Sequence, residues 1–140
     1  GQSASYGRRF TADKPTLVAT LCTGYADGYP RQLSCGKGIV EIHGKACPVL
    51  GRVCMDQFIL DLHGSAAELG IHEGDNVELF GPGRGEDYAE PTADDWGRAA
   101  DTISYEIFTC LRNRIPRLYE HAAEVLPAAD LAKLDPATLL

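Results

Sequence analysis

The chain has 140 residues, of which 44% are hydrophobic and 24% are charged, values typical of one globular domain that can bury a core. Its 20 acidic and 13 basic side chains give a formal net charge of -7, so we expect neither nucleic acid nor anionic lipid as a partner. No apolar run approaches the roughly 18 residues of a membrane span, and the polar N-terminus lacks the apolar core of a signal peptide.

Five cysteines are spread along the chain without a Cys-x-x-Cys pair, namely Cys22, Cys35, Cys47, Cys54 and Cys110. An odd number without a compact framework favours free thiols and a reducing compartment, so we expect a cytoplasmic protein. His43 lies close to Cys47, and His63 lies close to Cys54, yet neither pair has a second pair at ligand spacing. Buried apolar thiols are the better interpretation, and we predict no metal site.

Residues 15–23 are rich in β-branched side chains and predict a strand with Leu17, Ala19 and Leu21 on one face. Turn-forming residues fill positions 24–31. Both features indicate that the first half of the chain is built from strands rather than helices.

The same pattern continues beyond the first strand. Residues 39–43 alternate and lead into a hairpin turn at His43-Gly44-Lys45. The second half of residues 52–62 alternates with Phe58, Leu60 and Leu62 on one face. We therefore expect two further strands here, each with one apolar face.

Residues 74–75 predict a turn, and residues 77–80 predict one more short strand. The glycine-rich residues 81–85 lack the Lys-Ser/Thr and the helix of a phosphate loop, so they indicate a hairpin loop. Strands this short and closely spaced indicate a small barrel or sandwich.

The last third of the chain changes character. Thr92, followed by acidic residues, predicts the start of a short helix that ends near Ala100. Residues 103–115 contain strand-forming side chains but are predicted to be helical, with Pro116 ending the helix. The apolar face of that helix would be Ile103, Ile107, Cys110 and Leu111. Residues 121–140 predict a tail with one or two helical turns, so the fold class is mainly β with a smaller helical end.

Four short segments are unusual because they combine tyrosine, or the single methionine, with glycine and charged residues. They are Ser5-Tyr6-Gly7-Arg8-Arg9, Gly24-Tyr25-Ala26-Asp27-Gly28-Tyr29-Pro30-Arg31, Gly51-Arg52-Val53-Cys54-Met55-Asp56-Gln57 and Thr102-Ile103-Ser104-Tyr105-Glu106. Taken singly, each tyrosine is more often an amphipathic ring of the core or surface.

Together and in this order, the four segments resemble the C-terminal domain of alanine racemase, a pyridoxal-phosphate enzyme of bacterial cell-wall synthesis. The resemblance covers residues 5–119 and includes Arg114-Ile115-Pro116-Arg117. It implies a barrel-like, mostly β domain over residues 1–120, with 121–140 as a tail extension. An N-terminal α/β barrel that carries the cofactor would lie outside this chain.

The resemblance implies interconversion of L-alanine and D-alanine through a pyridoxal-phosphate aldimine, which supplies D-alanine for peptidoglycan. Such a reaction needs two opposed acid/base groups. One would be the Schiff-base lysine of the barrel, and the other, from the partner subunit, matches Tyr6. A tyrosine acts as a base only if cations stabilise its phenolate. Arg8 and Arg9 are candidates by sequence, but the resemblance points to groups of the barrel.

Other site residues follow from the same resemblance. Tyr25 and Tyr105 match tyrosines that narrow the inner end of the substrate corridor, and Tyr105 also matches a position close to the cofactor phosphate. Met55 matches a residue whose backbone N–H meets the substrate carboxylate. Cys54 and Asp56 flank it and would line the same mouth.

Farther out along the corridor, Arg31 and Arg52 match arginines that would attract a carboxylate, and Ile103 matches a corridor wall. Without the resemblance, surface ion pairs and core packing would be the better interpretations of these residues. The lysines match nothing catalytic; they are Lys14, Lys37, Lys45 and Lys133.

The resemblance also implies a head-to-tail homodimer. Each active site would take Tyr6, Tyr25 and Met55 from one chain, and Tyr105 from the chain that supplies the barrel. This chain alone would then be inactive.

Three other functions stay open. They are a racemase of serine or another small amino acid, a non-catalytic dimerisation or binding module, and a cysteine hydrolase. The hydrolase would use Cys54 with His43 or His63, although nothing in the sequence orders such a pair.

Overall fold

The computed structural model describes residues 1–62, 68, 70–81 and 91–117. Two short 3₁₀ helices span Tyr6–Arg8 and Arg31–Leu33. The other elements are six strands and two α-helices, and the α-helices lie toward the C-terminal end. In chain order they are β1 (Ser3–Ala4), β2 (Phe10–Thr11), β3 (Val18–Leu21), β4 (Ile39–Ile42), β5 (Lys45–Leu50), β6 (Phe58–Asp61), α1 (Ala93–Ala100) and α2 (Ser104–Cys110). The predicted fold class, mainly β with short helices at the end, is confirmed.

Four strands make one antiparallel sheet in the order β3-β6-β5-β4. β4 and β5 are joined by a two-residue turn at His43 and Gly44, whose φ angles of 51° and 77° are those of a type I′ hairpin turn. The predicted hairpin is therefore confirmed. The pairings among the described strands leave β3 and β4 at the two edges, and closure into a barrel stays a prediction. β1 and β2 form a separate ribbon that the sequence did not predict.

The core lies between the inner face of this sheet and helix α1. Phe58 and Leu60 are fully buried and Leu62 nearly so, which confirms the predicted alternation of β6. The ring of Tyr29 packs between Phe58 and Trp96, with centroid distances of 4.3 and 4.6 Å. Tyr29 therefore belongs to the core, and burial raises its pKa.

Two predicted strand patterns need correction. Leu17 precedes β3 and is exposed, so only Ala19 and Leu21 face inward. In β4, Glu41 is nearly as buried as Val40 and Ile42, so the strand does not alternate, and its backbone also bridges to Glu78. The predicted strand at 77–80 is reduced to that single bridge.

The first helix has the predicted start. The Thr92 hydroxyl accepts a hydrogen bond from the Asp95 N–H (3.2 Å), and the Asp95 carboxylate accepts one from the Thr92 N–H (2.8 Å). The second helix was predicted too long. It ends at Cys110, well before Pro116, and Ile103 at its N-terminal cap is exposed rather than buried.

Some predictions lie outside the described residues. They concern His63, most of the loop at 81–85 and the tail at 121–140. In the part of the chain that is described, neither helix is long and apolar enough to cross a membrane.

Candidate functional site

The loop at residues 51–57, between β5 and β6, is where the N-terminal segment reaches the sheet. The Ser5 hydroxyl donates to the Arg52 carbonyl (2.6 Å) and accepts from the Arg52 N–H (2.9 Å). Positive φ angles at Ser5 (64°) and Gly7 (73°) turn the chain sharply on both sides of Tyr6. Tyr6 is therefore fixed beside this loop with its side chain 72% exposed.

A second segment, residues 24–28, docks on the same loop through its main chain. The N–H groups of Tyr25 and Ala26 donate to the carbonyls of Cys54 (3.1 Å) and Met55 (3.0 Å). Gly24 makes this possible, because a Cβ there would overlap the carbonyl oxygens of Cys54 and Met55. Tyr25 and Met55 consequently lie side by side, both partly exposed. Among the described residues, the Met55 N–H has no hydrogen-bond acceptor.

Arg114 joins the segment at 24–28 to the loop at 51–57 a second time, because it pairs with a carboxylate on each. Arg114 Nη2 donates to the Asp56 carboxylate (2.8 Å), and Arg114 Nε lies 3.3 Å from the Asp27 carboxylate. The hydrogen bond to Asp56, with the charge of Asp27, raises the pKa of Arg114. The sequence around Arg114 does not indicate this contact, because only folding brings Arg114 to carboxylates 58 and 87 positions away in the chain.

Helix α2 approaches the cluster with its C-terminal end. A Cβ at Gly28 would overlap the Cys110 carbonyl, and the Arg112 N–H donates to the Asp27 carbonyl (3.2 Å). Ile103 and Tyr105 lie at the other end of the helix, exposed by 63% and 77%. No hydrogen bond, ion pair or ring contact between described residues joins them to Tyr6, Tyr25 or Met55. The structure thus divides the predicted site residues into two groups.

Three arginines line a cleft of about 490 Å³ beside the loop. Its lining residues are Arg9, Arg31, Ser34, Cys35 and Arg52. The Ser34 hydroxyl donates to the Arg31 carbonyl (2.6 Å) and accepts from the Val53 N–H (3.0 Å), so the walls are tied together. Within the described residues, no carboxylate pairs with Arg9, Arg31 or Arg52. A cleft with three positive charges attracts anions, which favours the corridor interpretation over surface ion pairs.

Among the described residues, no hydrogen bond or ion pair joins Cys54 to a histidine. Cys54 donates its thiol to the Arg52 carbonyl (3.6 Å), whereas His43 pairs with Asp75 (3.2 Å). All five cysteines are free. Cys47 is buried, and burial raises its pKa, but Cys22 and Cys35 are exposed, so the prediction of buried thiols is wrong for them. Over the described residues, no group of three His, Cys, Asp or Glu side chains could hold a metal ion.

A larger cavity, of about 840 Å³, lies along the exposed edge of β3. It contains none of the predicted site residues. The larger cavity is therefore separate from the predicted site residues. The cleft beside the loop at 51–57 is the candidate site, because Arg31 and Arg52 line it.

The comparisons with known proteins agree on one family. The family model of the alanine racemase C-terminal domain matches residues 1–119. Alanine racemase of Beutenbergia cavernae is 48% identical over 119 residues, which are 85% of this chain and 30% of that protein. The crystal structure of alanine racemase from D-cycloserine-producing Streptomyces lavendulae is 40% identical, with a TM-score of 0.74 over 89% of this chain and 31% of that one.

A third comparison concerns the cofactor. Alanine racemase from Bartonella henselae, solved with covalently bound pyridoxal phosphate, is 31% identical with a TM-score of 0.68. The match covers 86% of this chain and 31% of that one. The chain spans about 30% of the length of the curated relatives it matches.

Proposed function

The chain belongs to the family of alanine racemase C-terminal domains, and from this membership we propose that it forms part of an enzyme that interconverts L-alanine and D-alanine. An N-terminal α/β barrel and a second subunit complete the active site in a cytoplasmic head-to-tail homodimer, and the product D-alanine is used for peptidoglycan. The observation that carries this proposal is that the segments of Tyr6 and Tyr25 both bond to the loop at 51–57, which contains Met55.

Tyr6 is the acid/base group that this chain contributes. Racemisation removes the Cα proton on one face and returns a proton on the other, so two opposed groups are required. The hydroxyl of Tyr6 is exposed and makes no hydrogen bond within the described residues, so it is free to face a substrate. The Ser5 bonds to Arg52 fix the backbone beside it, which limits the positions the ring can take.

The substrate carboxylate is bound by the loop at 51–57. The free N–H of Met55 can donate to a carboxylate oxygen, and Cys54 and Asp56 line the approach. The cleft of Arg31 and Arg52 lies next to this loop and favours a negatively charged ligand. These groups orient the substrate so that its Cα proton faces Tyr6.

The tyrosines of the two groups act as a size filter. Tyr25 beside Met55 narrows the inner end of the corridor, while Tyr105 and Ile103 project from α2 and form the opposite wall when a second subunit is present. A narrow corridor admits a methyl side chain more readily than a larger one. The exposed hydroxyl of Tyr105 also fits the cofactor phosphate, because it has no hydrogen bond to another described residue.

Pyridoxal phosphate supplies an electron sink for the charge left at Cα when its proton is removed. The residues described here fit only one part of that cofactor, its phosphate, through Tyr105. We therefore assign the remaining cofactor contacts to the barrel.

The test is racemisation by the full-length protein in both directions. Tyr6→Phe is expected to lower turnover about 10²- to 10⁴-fold and to abolish α-proton exchange from L-alanine, while exchange on the D side partly survives. Tyr29→Phe is the matched control, because the buried Tyr29 hydroxyl has no hydrogen-bond partner among the described residues and its ring packs in the core against Phe58 and Trp96.

Two results would contradict the proposal. Normal racemisation by Tyr6→Phe would show that Tyr6 is structural and would favour a non-catalytic module. Faster racemisation of L-serine than of L-alanine by the unmodified protein would assign it to the serine-specific alternative.

A further inference from the structure

We infer that Arg114 is a positioning residue of the active site: its guanidinium holds the segment of Tyr25 against the loop of Met55. The inference rests on the proposed racemase function for its kinetic consequence, but its structural part stands on this chain alone. Neither Asp27 nor Arg114 belongs to the predicted contacts of substrate or cofactor.

One guanidinium serves two carboxylates on two different segments. Nε lies 3.3 Å from Asp27 Oδ1, and Nη2 donates to Asp56 Oδ1 at 2.8 Å. A planar guanidinium presents several N–H donors in a fixed fork, so the positions of the two carboxylates become coupled. An ammonium group has no such fork.

Each carboxylate is in turn connected to a predicted site residue. The second oxygen of Asp27 accepts hydrogen bonds from the Gly24 N–H (2.9 Å) and the Thr23 hydroxyl (3.4 Å), which fixes the start of the Tyr25 turn. Asp56 directly follows Met55 in the chain. Two main-chain hydrogen bonds join the segment at 24–28 to the loop at 51–57. Arg114 contacts a carboxylate on each of these two segments.

The exposure of the Arg114–Asp56 ion pair favours a positioning role for Arg114 over a purely stabilising one. The side chains of Arg114 and Asp56 are 54% and 51% exposed, and exposed ion pairs contribute little to folding stability. Asp27, at 14% exposed, is more shielded. Loss of Arg114 leaves Asp27 and Asp56 near each other with no other counterion among the described residues. The two segments are therefore expected to move apart while the core stays folded.

The kinetic test uses the full-length protein with Arg114→Gln and Arg114→Lys. For Arg114→Gln we expect kcat/KM for alanine to fall roughly 10- to 100-fold, mainly through a higher KM because the carboxylate-binding N–H of Met55 is displaced. Arg114→Lys keeps the charge and is expected to recover part of the loss. Arg112→Gln is the matched control, since only its main-chain N–H contacts Asp27.

Coupling to Asp56 gives a second criterion. If Arg114 acts through Asp56, Arg114→Gln adds little further loss to Asp56→Asn, whereas independent roles give additive effects. Additive effects, or an unchanged KM in Arg114→Gln, would overturn the inference. A lowered melting temperature with unchanged KM would assign Arg114 a stabilising role only.

Amide hydrogen exchange separates this inference from the proposed function. Arg114→Gln is expected to accelerate exchange at the Tyr25 and Ala26 amides, while amides of β6 in the core stay protected. This result can be obtained even if the protein does not racemise alanine. Unchanged protection of the Tyr25 and Ala26 amides would refute the positioning role of Arg114, whatever the activity of the protein.

Discussion

The loop at 51–57 and the start of α2 both present predicted site residues, but the chain holds them in opposite ways. Tyr6, Tyr25 and Met55 are fixed by main-chain and hydroxyl hydrogen bonds to one loop. Ile103 and Tyr105 project from a seven-residue helix and are exposed by 63% and 77%. The first group is held together by hydrogen bonds within this chain, whereas the side chains of the second group are exposed. The contrast fits a domain that contributes to two active sites, one through each group.

The largest effect is expected from breaking the first group at Gly24. In Gly24→Ala the added Cβ would overlap the Cys54 and Met55 carbonyls, so the docked turn must separate from the loop. We expect a loss of about 3 kcal/mol in the free energy of unfolding, measured by denaturant titration.

Gly36→Ala is the control for this substitution. A Cβ at Gly36 meets no atom within 4 Å, although its φ of +86° makes alanine strained, so about 1 kcal/mol is expected. Equal losses in the two variants would show that the close approach at Gly24 is unimportant.

A smaller effect is expected at the helical end when the pH is lowered. The Thr92 hydroxyl, followed by the Thr92 N–H and Arg98, lowers the pKa of Asp95. A carboxylate with a lowered folded-state pKa stabilises the protein above its unfolded value near 3.9, and this contribution is lost as the pH falls through the folded-state pKa.

Asp95 is partly exposed, so we expect less than about 1 kcal/mol from this source. When the pH is lowered from 6 to 3, the melting temperature of Asp95→Asn should therefore fall less than that of the unmodified protein. Asp94→Asn, in the same turn but outside the capping box, should follow the unmodified protein. Identical pH profiles for all three proteins would contradict the assignment.

The smallest effect on stability is expected at Tyr105. Because its side chain is exposed, Tyr105→Ala should change the free energy of unfolding by less than about 0.5 kcal/mol while racemisation by the full-length protein is lost. Trp96→Ala, which removes a buried ring of the core, should cost about 3–5 kcal/mol. A large loss of stability in Tyr105→Ala would place Tyr105 with the first group.

The features that the sequence predicts correctly depend on neighbouring residues. The alternation of β6, the turn at His43 and Gly44 and the Thr92 cap all arise within a few positions, so their patterns are visible in the sequence. The features that it does not predict depend on distant contacts. Helix α2 ends at Cys110, after which the Arg112 N–H donates to the Asp27 carbonyl. Glu41 is buried on a strand whose backbone bridges to the distant Glu78.

The same distinction applies to the candidate site. Tyr6, Tyr25, Met55 and Tyr105 are predicted through the motifs that carry the family resemblance, since each motif is a short run of adjacent residues. Arg9 was predicted only as a partner for a phenolate, yet the structure places it with Arg31 and Arg52 in one cleft. Arg114 had no local signal, because its two partners come from different segments.

The docking of residues 24–28 has a consequence for how such a protein evolves. Tyr25 is held through its main-chain N–H, whereas the role that we propose for it in recognising the substrate depends on its side chain. Selection can therefore replace that side chain, and so alter the size of the amino acid that is accepted, without disturbing the bond that holds the turn. If the proposed function holds, single substitutions at Tyr25 can therefore change the substrate range while the main-chain bond to Cys54 is kept.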